Sequence, residues 1–160
     1  MSEEYNLDSL DRKILTELQN NGRKSFRKIA EEVDSTAVTV INRVEKMEDN
    51  NVIDGYSVDI NFAEIGYKAV AAIEIVAQGQ NLPEVEEMLS NHPNITAVYK
   101  ITGNTDILIV AKFKKREDLS SFVVDELLDR DEIEKTITHV AFEDYMENLN
   151  LDLMQVEKEK

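Results

Sequence analysis

Two short stretches hold the side chains able to do recognition chemistry. From Thr36 to Lys46, polar and cationic groups recur at Thr36, Thr39, Asn42, Arg43 and Lys46, and the basic cluster Arg23, Lys24, Arg27 and Lys28 lies just upstream. Arginine and asparagine pair bidentately with guanine and adenine edges, and lysine and arginine neutralise phosphates. The second stretch, Thr102-Gly103-Asn104-Thr105-Asp106, sets a carboxylate beside a Gly-Asn turn. Free backbone N–H groups and the Asp106 carboxylate side by side suit a zwitterion, although a plain hairpin in which Asp106 caps its own turn would use the same residues.

No constellation for catalysis accompanies them. The chain has no cysteine, its two histidines, His92 and His139, lie far apart, and there is no Gly-x-Ser-x-Gly elbow or phosphate loop. No catalytic residue, metal site or cofactor is therefore expected.

The elements that position the first stretch are short helices. Phe26, Ile29, Ala30 and Val33 make one apolar stripe; Asp34 and Ser35 interrupt it, and Thr36 is a suitable N-cap for the next helix. In that helix Val40, Val44 and Met47 define the buried side, so Thr39, Asn42, Arg43 and Lys46 point away from the core. This is the layout of a helix-turn-helix, whose second helix enters the DNA major groove. An upstream helix places Leu7, Leu10, Ile14, Leu15 and Leu18 inward and stops at Asn21-Gly22. Downstream, an Asp54-Gly55 turn followed by alternating Tyr56, Val58 and Ile60 predicts a short strand or wing.

Beyond Gly66 the pattern changes to β-α-β-β-α-β. The strands are expected at 67–78, 95–102, 107–113 and 133–145, with helices at 83–91, opened by Pro83, and 116–131. Their order is that of the ferredoxin-like split βαβ fold, so the class is α+β: a winged helix-turn-helix over 1–61 and a ferredoxin-like domain over 62–160. Both helices on one face leave the other face of the sheet uncovered. Alternation puts Val98, Leu108, Val110 and Val140 there, an apolar patch that calls for a partner.

The net charge of −15 is unusual for a nucleic-acid binder. Residues 1–61 hold eight basic against thirteen acidic side chains, and 62–160 hold ten against twenty. Salt screens charges beyond roughly 8–10 Å, so the contacting face decides, and the bases of the first half cluster at the helix-turn-helix. The acidic, polar N-terminus is not a secretory signal and no run approaches ~18 apolar residues, which favours a cytoplasmic protein without a membrane partner.

Four segments in order, LDxxDRKIL, NGRKSFRKIA, TVxNRVxKME and NVIDGY, resemble the N-terminal half of the Lrp/AsnC (feast-famine) transcription regulators, and the resemblance extends over nearly the whole chain. It implies a sequence-specific regulator that binds double-stranded DNA and a small-molecule effector, an amino acid or a related compound. The C-terminal half is similar to the family's RAM domain, which pairs sheet to sheet, implying a homodimer or higher homo-oligomer; residues 149–153 match its short extra strand. The DNA-contacting set implied is Lys24, Ser25, Arg27, Lys28, Thr36, Val38, Thr39, Asn42, Arg43 and Lys46. In the effector set Gly103 and Thr105 would offer backbone groups and Asp106 would take the ammonium, with Thr102, Asn104, Thr136 and Thr138 alongside. The chain departs from the family pattern at Asp34-Ser35-Thr36, where the turn commonly opens with glycine. It departs again at Ile41, commonly arginine, and at Asn51, commonly glycine. Two alternatives stay open: a family member that senses effector or pairs with a homologous subunit without binding DNA, and an enzyme like the sirohaem decarboxylases. The second would need histidine and arginine near the middle strands, where AVYKITGNTDILIV offers only Lys100.

Overall fold

The computed structural model describes residues 5–142 and 151–154. The described residues divide into two compact units, 5–59 together with 151–154, and 60–142.

The first unit has three helices: α1 (Ser9–Asn20), α2 (Phe26–Glu32) and α3 (Ala37–Asp49). Each begins where a side chain can satisfy otherwise unpaired N–H groups. Asp8 accepts from the Asp11 N–H at 2.9 Å while Asp11 accepts from the Asp8 N–H, a reciprocal cap. Ser25 caps α2 and Thr36 caps α3, accepting from the Lys28 and Thr39 amides. Ile14, Leu18, Ile29, Ala30, Val33, Val40, Val44 and Met47 form the core. Truncating Ile14 or Met47, both fully buried, to alanine would cost about 2–5 kcal/mol.

The two family departures at glycine positions are accommodated by the backbone itself. Asp34 lies at φ 54° and Asn51 at φ 55°, a left-handed conformation that Asp and Asn tolerate better than most side chains. Asp34 thereby turns α2 into α3, and the Ser35 N–H reaches the Ala30 carbonyl at 2.8 Å. The expected wing is not formed. Residues 54–61 make no ladder, and Tyr56, Val58 and Ile60 are exposed. A hairpin needs a second strand, and the preceding Val52 and Ile53 are instead drawn against the helical core.

The second unit is a four-stranded antiparallel sheet of order β2-β3-β1-β4, with β1 (Ala69–Ala77), β2 (Ile95–Lys100), β3 (Ile107–Phe113) and β4 (Ile133–Val140). Helix α4 (Leu82–Ser90) and helix α5 (Arg116–Ser121), continued by a π-helical turn (Phe122–Leu127), pack on one face. Pro83 is the second helical residue of α4, since Asn81 is the N-cap. The π turn, in which the Leu128 N–H reaches the Val123 carbonyl at 3.0 Å, replaces part of the expected uniform helix. Five residues of α-helix turn about 500°, leaving side chains roughly 140° apart; the wider turn narrows that angle, and Phe122 and Leu127 are both buried.

Two residues expected on the open face are on the helix face. A register shift between Ile95 and Ala97 breaks the alternation of β2, so Val98 stands opposite buried Ile109 and packs into the core. Val140 pairs with buried Ala71 and lines a groove against α5. The open face carries Val70, Ala72, Val76, Ala97, Tyr99, Leu108, Val110 and Ile137 instead. The last strand ends at Val140 rather than 145; residues 143–145, like 149 and 150 of the expected extra strand, lie outside the described residues. Leu151–Met154 contain a turn and no strand.

Candidate nucleic-acid and effector sites

Helix α3 presents a graded surface. Val38 is 67% exposed and Ile41 36%; Asn42, Glu45 and Lys46 are also exposed. The Thr36 and Thr39 hydroxyls bond each other at 2.9 Å over the helix start. Lys46 lies over the Tyr5 ring, 5.3 Å from its centroid.

Arg43 is not free on this surface. Its Nη1 donates to Asp8 Oδ2 at 2.6 Å and to Asp11 Oδ1 at 3.1 Å, and Asp11 is 1% exposed. The Asp8 hydrogen bond is the largest of the effects that push the Arg43 pKa up. The Asp8 carboxyl is held below its usual value, chiefly by the Asp11 N–H, against a smaller opposing effect of desolvation and with help from Arg43. The sequence signal for this network was the Asp-x-x-Asp spacing of Asp8 and Asp11, which reads as a cap and does not name its cation.

Among the bases near α2, Arg27 is 87% exposed and pairs with Glu31 at a long 3.7 Å, and Lys28 is exposed. Lys24 differs. Its side chain is 13% exposed, and its ammonium bridges Glu17 of α1 and Glu32 of α2, the latter at 2.7 Å. Its hydrogen bond to Glu17 is the main reason its pKa is raised. Of the expected contact set, Ser25, Arg27, Lys28, Val38, Asn42 and Lys46 are exposed, Thr36 and Ser25 serve as caps, and Lys24 and Arg43 hold helices together.

The second candidate site is the loop between β2 and β3, closed by the Ile101 N–H bonded to the Asp106 carbonyl at 2.9 Å. Gly103 turns it at φ 132°, a conformation that favours glycine. Asp106 does not cap its own turn. Its Oδ2 accepts from the Ala77 N–H at 3.0 Å, beside the register shift between Val76 and Ala77, so it fastens the loop to the end of β1. Oδ1 makes no hydrogen bond among the described residues. Thr105 is buried and donates to Glu74 Oε2 at 3.1 Å, and Glu74 Oε1 lies 3.2 Å from His139 Nε2 on the open sheet face. Residue spacing alone gave no sign of this link between loop and face. Thr136 and Thr138 are on β4, with β1 between them and the loop, so one chain does not gather the whole expected set. Thr138 lines a separate groove of about 390 Å³ with Arg116, Leu119, Val123, Val124 and Phe142.

Comparison with known proteins covers both halves. Residues 7–48 match the AsnC-type helix-turn-helix domain and residues 69–151 the Lrp/AsnC ligand binding domain. An HTH-type transcriptional regulator of Pyrococcus furiosus is 42% identical over 146 residues, covering 91% of this chain and 98% of the relative. Another, from Methanocaldococcus jannaschii, is 32% identical over 76% of this chain and 82% of its own length. Among solved structures, Escherichia coli AsnC superposes with a TM-score of 0.83 at 26% identity, covering 89% of this chain and 97% of that one. A Neisseria meningitidis transcriptional regulator, solved in complex with L-methionine, superposes at 0.89 and 23% identity over 94% and 99%.

Proposed function

Because this chain belongs to the Lrp/AsnC family of helix-turn-helix transcription regulators, we propose that it acts in the cytoplasm as a DNA-binding regulator and not as an enzyme. In this reading α3 enters the major groove, while Ser25, Arg27 and Lys28 at the start of α2 meet the phosphates. The observation that carries it is the exposed edge of α3, with Val38, Ile41 and Asn42 on a helix whose other side is locked into the core by Val40, Val44 and Met47. An acidic chain can do this because only the docking face needs to be cationic. Fluorescence anisotropy of a labelled random-sequence duplex pool tests the reading. Binding should weaken steeply between about 50 and 200 mM salt; no binding at the lower salt would favour the family member that does not bind DNA.

The β2–β3 loop is the proposed effector site, its backbone amides directed at a carboxylate and Asp106 Oδ1 at an ammonium. Matching of residues 69–151 to the family's ligand binding domain supports this. Thermal-shift screening of the twenty amino acids should find at least one that stabilises the chain. The uncovered apolar face of the sheet is the proposed contact between two copies. Leu108→Glu, placed at its centre, should reduce the assembly toward the 18.3 kDa monomer in light scattering; a wild type already of that mass would contradict the proposal.

A further inference from the structure

The exposed edge of α3 has a composition that narrows what it can read. Val38, Ile41, Asn42 and Glu45 fall at i, i+3, i+4 and i+7, the spacing of one helical face. Two of the four are branched aliphatic side chains in water, on an element whose apolar needs are already met by its opposite side. The cation that could read guanine from this helix, Arg43, is held by Asp8 and Asp11 and lies off this edge. Lys46 is drawn over Tyr5. The edge therefore lacks the fork that guanine recognition uses, and offers apolar surface with one amide and, at its far end, the Glu45 carboxylate.

We infer that α3 reads thymine through its 5-methyl group, with Val38 and Ile41 packed on methyls and Asn42 paired with the N6 and N7 edge of adenine. This rests on the DNA-binding reading and assigns its base chemistry. In the major groove the thymine methyl is the one apolar group a base pair offers, and an adenine edge presents the donor and acceptor that an asparagine amide matches. Valine and isoleucine keep essentially one χ1 rotamer in a helix, so little side-chain freedom is lost when they seat. Glu45, one turn on, disfavours a phosphate at that end and keeps the edge directed at bases.

The test replaces thymine by deoxyuracil, which pairs identically and lacks only the methyl. Duplexes recovered by the full-length protein from a random-sequence pool are resynthesised with uracil at each thymine in turn. Recovered sites should be rich in A·T pairs, and uracil at two or more positions should weaken binding about three- to fourfold each, the effect of one buried methyl group. In Val38→Ala and Ile41→Ala, whose folding is checked by urea titration, the thymine-to-uracil ratio should fall toward one at separate positions. Salt-dependent binding with a ratio of one throughout the wild-type series overturns this inference and leaves the DNA-binding reading standing. Failure to recover any duplex at low salt overturns both.

Discussion

Arg43, on helix α3, is bound to Asp11, on the first helix, through a 3.1 Å contact in which the Asp11 side chain is buried and the Arg43 side chain a third exposed. The pair ties α3 to α1 and makes a residue of base-reading type into an anchor. Replacing Arg43 by alanine would leave the Asp11 carboxylate buried without its cation, which costs about 1–3 kcal/mol. Urea denaturation should show that loss. Binding to a selected duplex and to a scrambled one should fall by the same factor once the folded fraction is taken into account; a loss confined to the selected duplex would return Arg43 to base reading.

The same network gives the helical unit an acid-sensitive limb. The Asp8 carboxyl titrates below its unfolded value, so its contribution to stability is present above the ordinary aspartate range and is lost as the pH falls through the lowered folded value. Asparagine is an equally good N-cap and does not titrate. Asp8→Asn should therefore lose less stability than the wild type between about pH 5 and pH 2.5 in chemical denaturation, because its limb between those values is flattened. Parallel pH profiles for the two proteins would contradict the assignment.

Lys24, Arg27 and Lys28 are neighbours in sequence and should behave differently. Lys24 bridges Glu17 and Glu32, whereas Arg27 and Lys28 face solvent. Arg27→Ala and Lys28→Ala should each make the dependence of log K on log salt shallower by about 1, with stability almost unchanged. Lys24→Ala should lower the urea midpoint and leave the slope as it was. A shallower slope in Lys24→Ala would put that lysine on the phosphates.

Asp106 separates fastening from ligand binding. Asparagine can still accept the Ala77 N–H through its carbonyl oxygen, whereas alanine orphans that amide at a cost of about 1–3 kcal/mol. Asp106→Asn should keep an apo melting temperature close to wild type and lose the shift given by any stabilising amino acid; Asp106→Ala should lose both. An intact shift in Asp106→Asn would mean that the carboxylate only holds the loop to β1.

Most of the fold was legible because it rests on periodicity. Val40, Val44 and Met47 named the buried side of α3, and alternation placed Leu108 and Val110 on the open face of the sheet, where they stand. What was missed depends on spatial neighbours that spacing does not carry. The wing needed a second strand, and Val52 and Ile53 were taken by the core. Val98 changed sides because one register shift reverses every later residue of β2. Outward position on α3 was inferred correctly for Asn42, but the charge partners of Arg43 and Lys24 lie on other helices, 32 to 35 and seven to eight residues away. The loop at Gly103 was found by its turn residues, while its anchor on Ala77, 29 residues off, was not.

Because the chain has no cysteine, placement of α3 in the major groove can be tested by a single bond. Asn42→Cys, on the exposed edge, and Lys13→Cys, exposed on α1, each carry one thiol. Each is mixed with a pool-selected duplex bearing a disulfide-activated thiol tether on a cytosine N4 in the major groove. A protein–DNA disulfide should form from position 42 and be lost as salt is raised, and none should form from position 13. Equal cross-linking from both positions, or from position 13 alone, would contradict it.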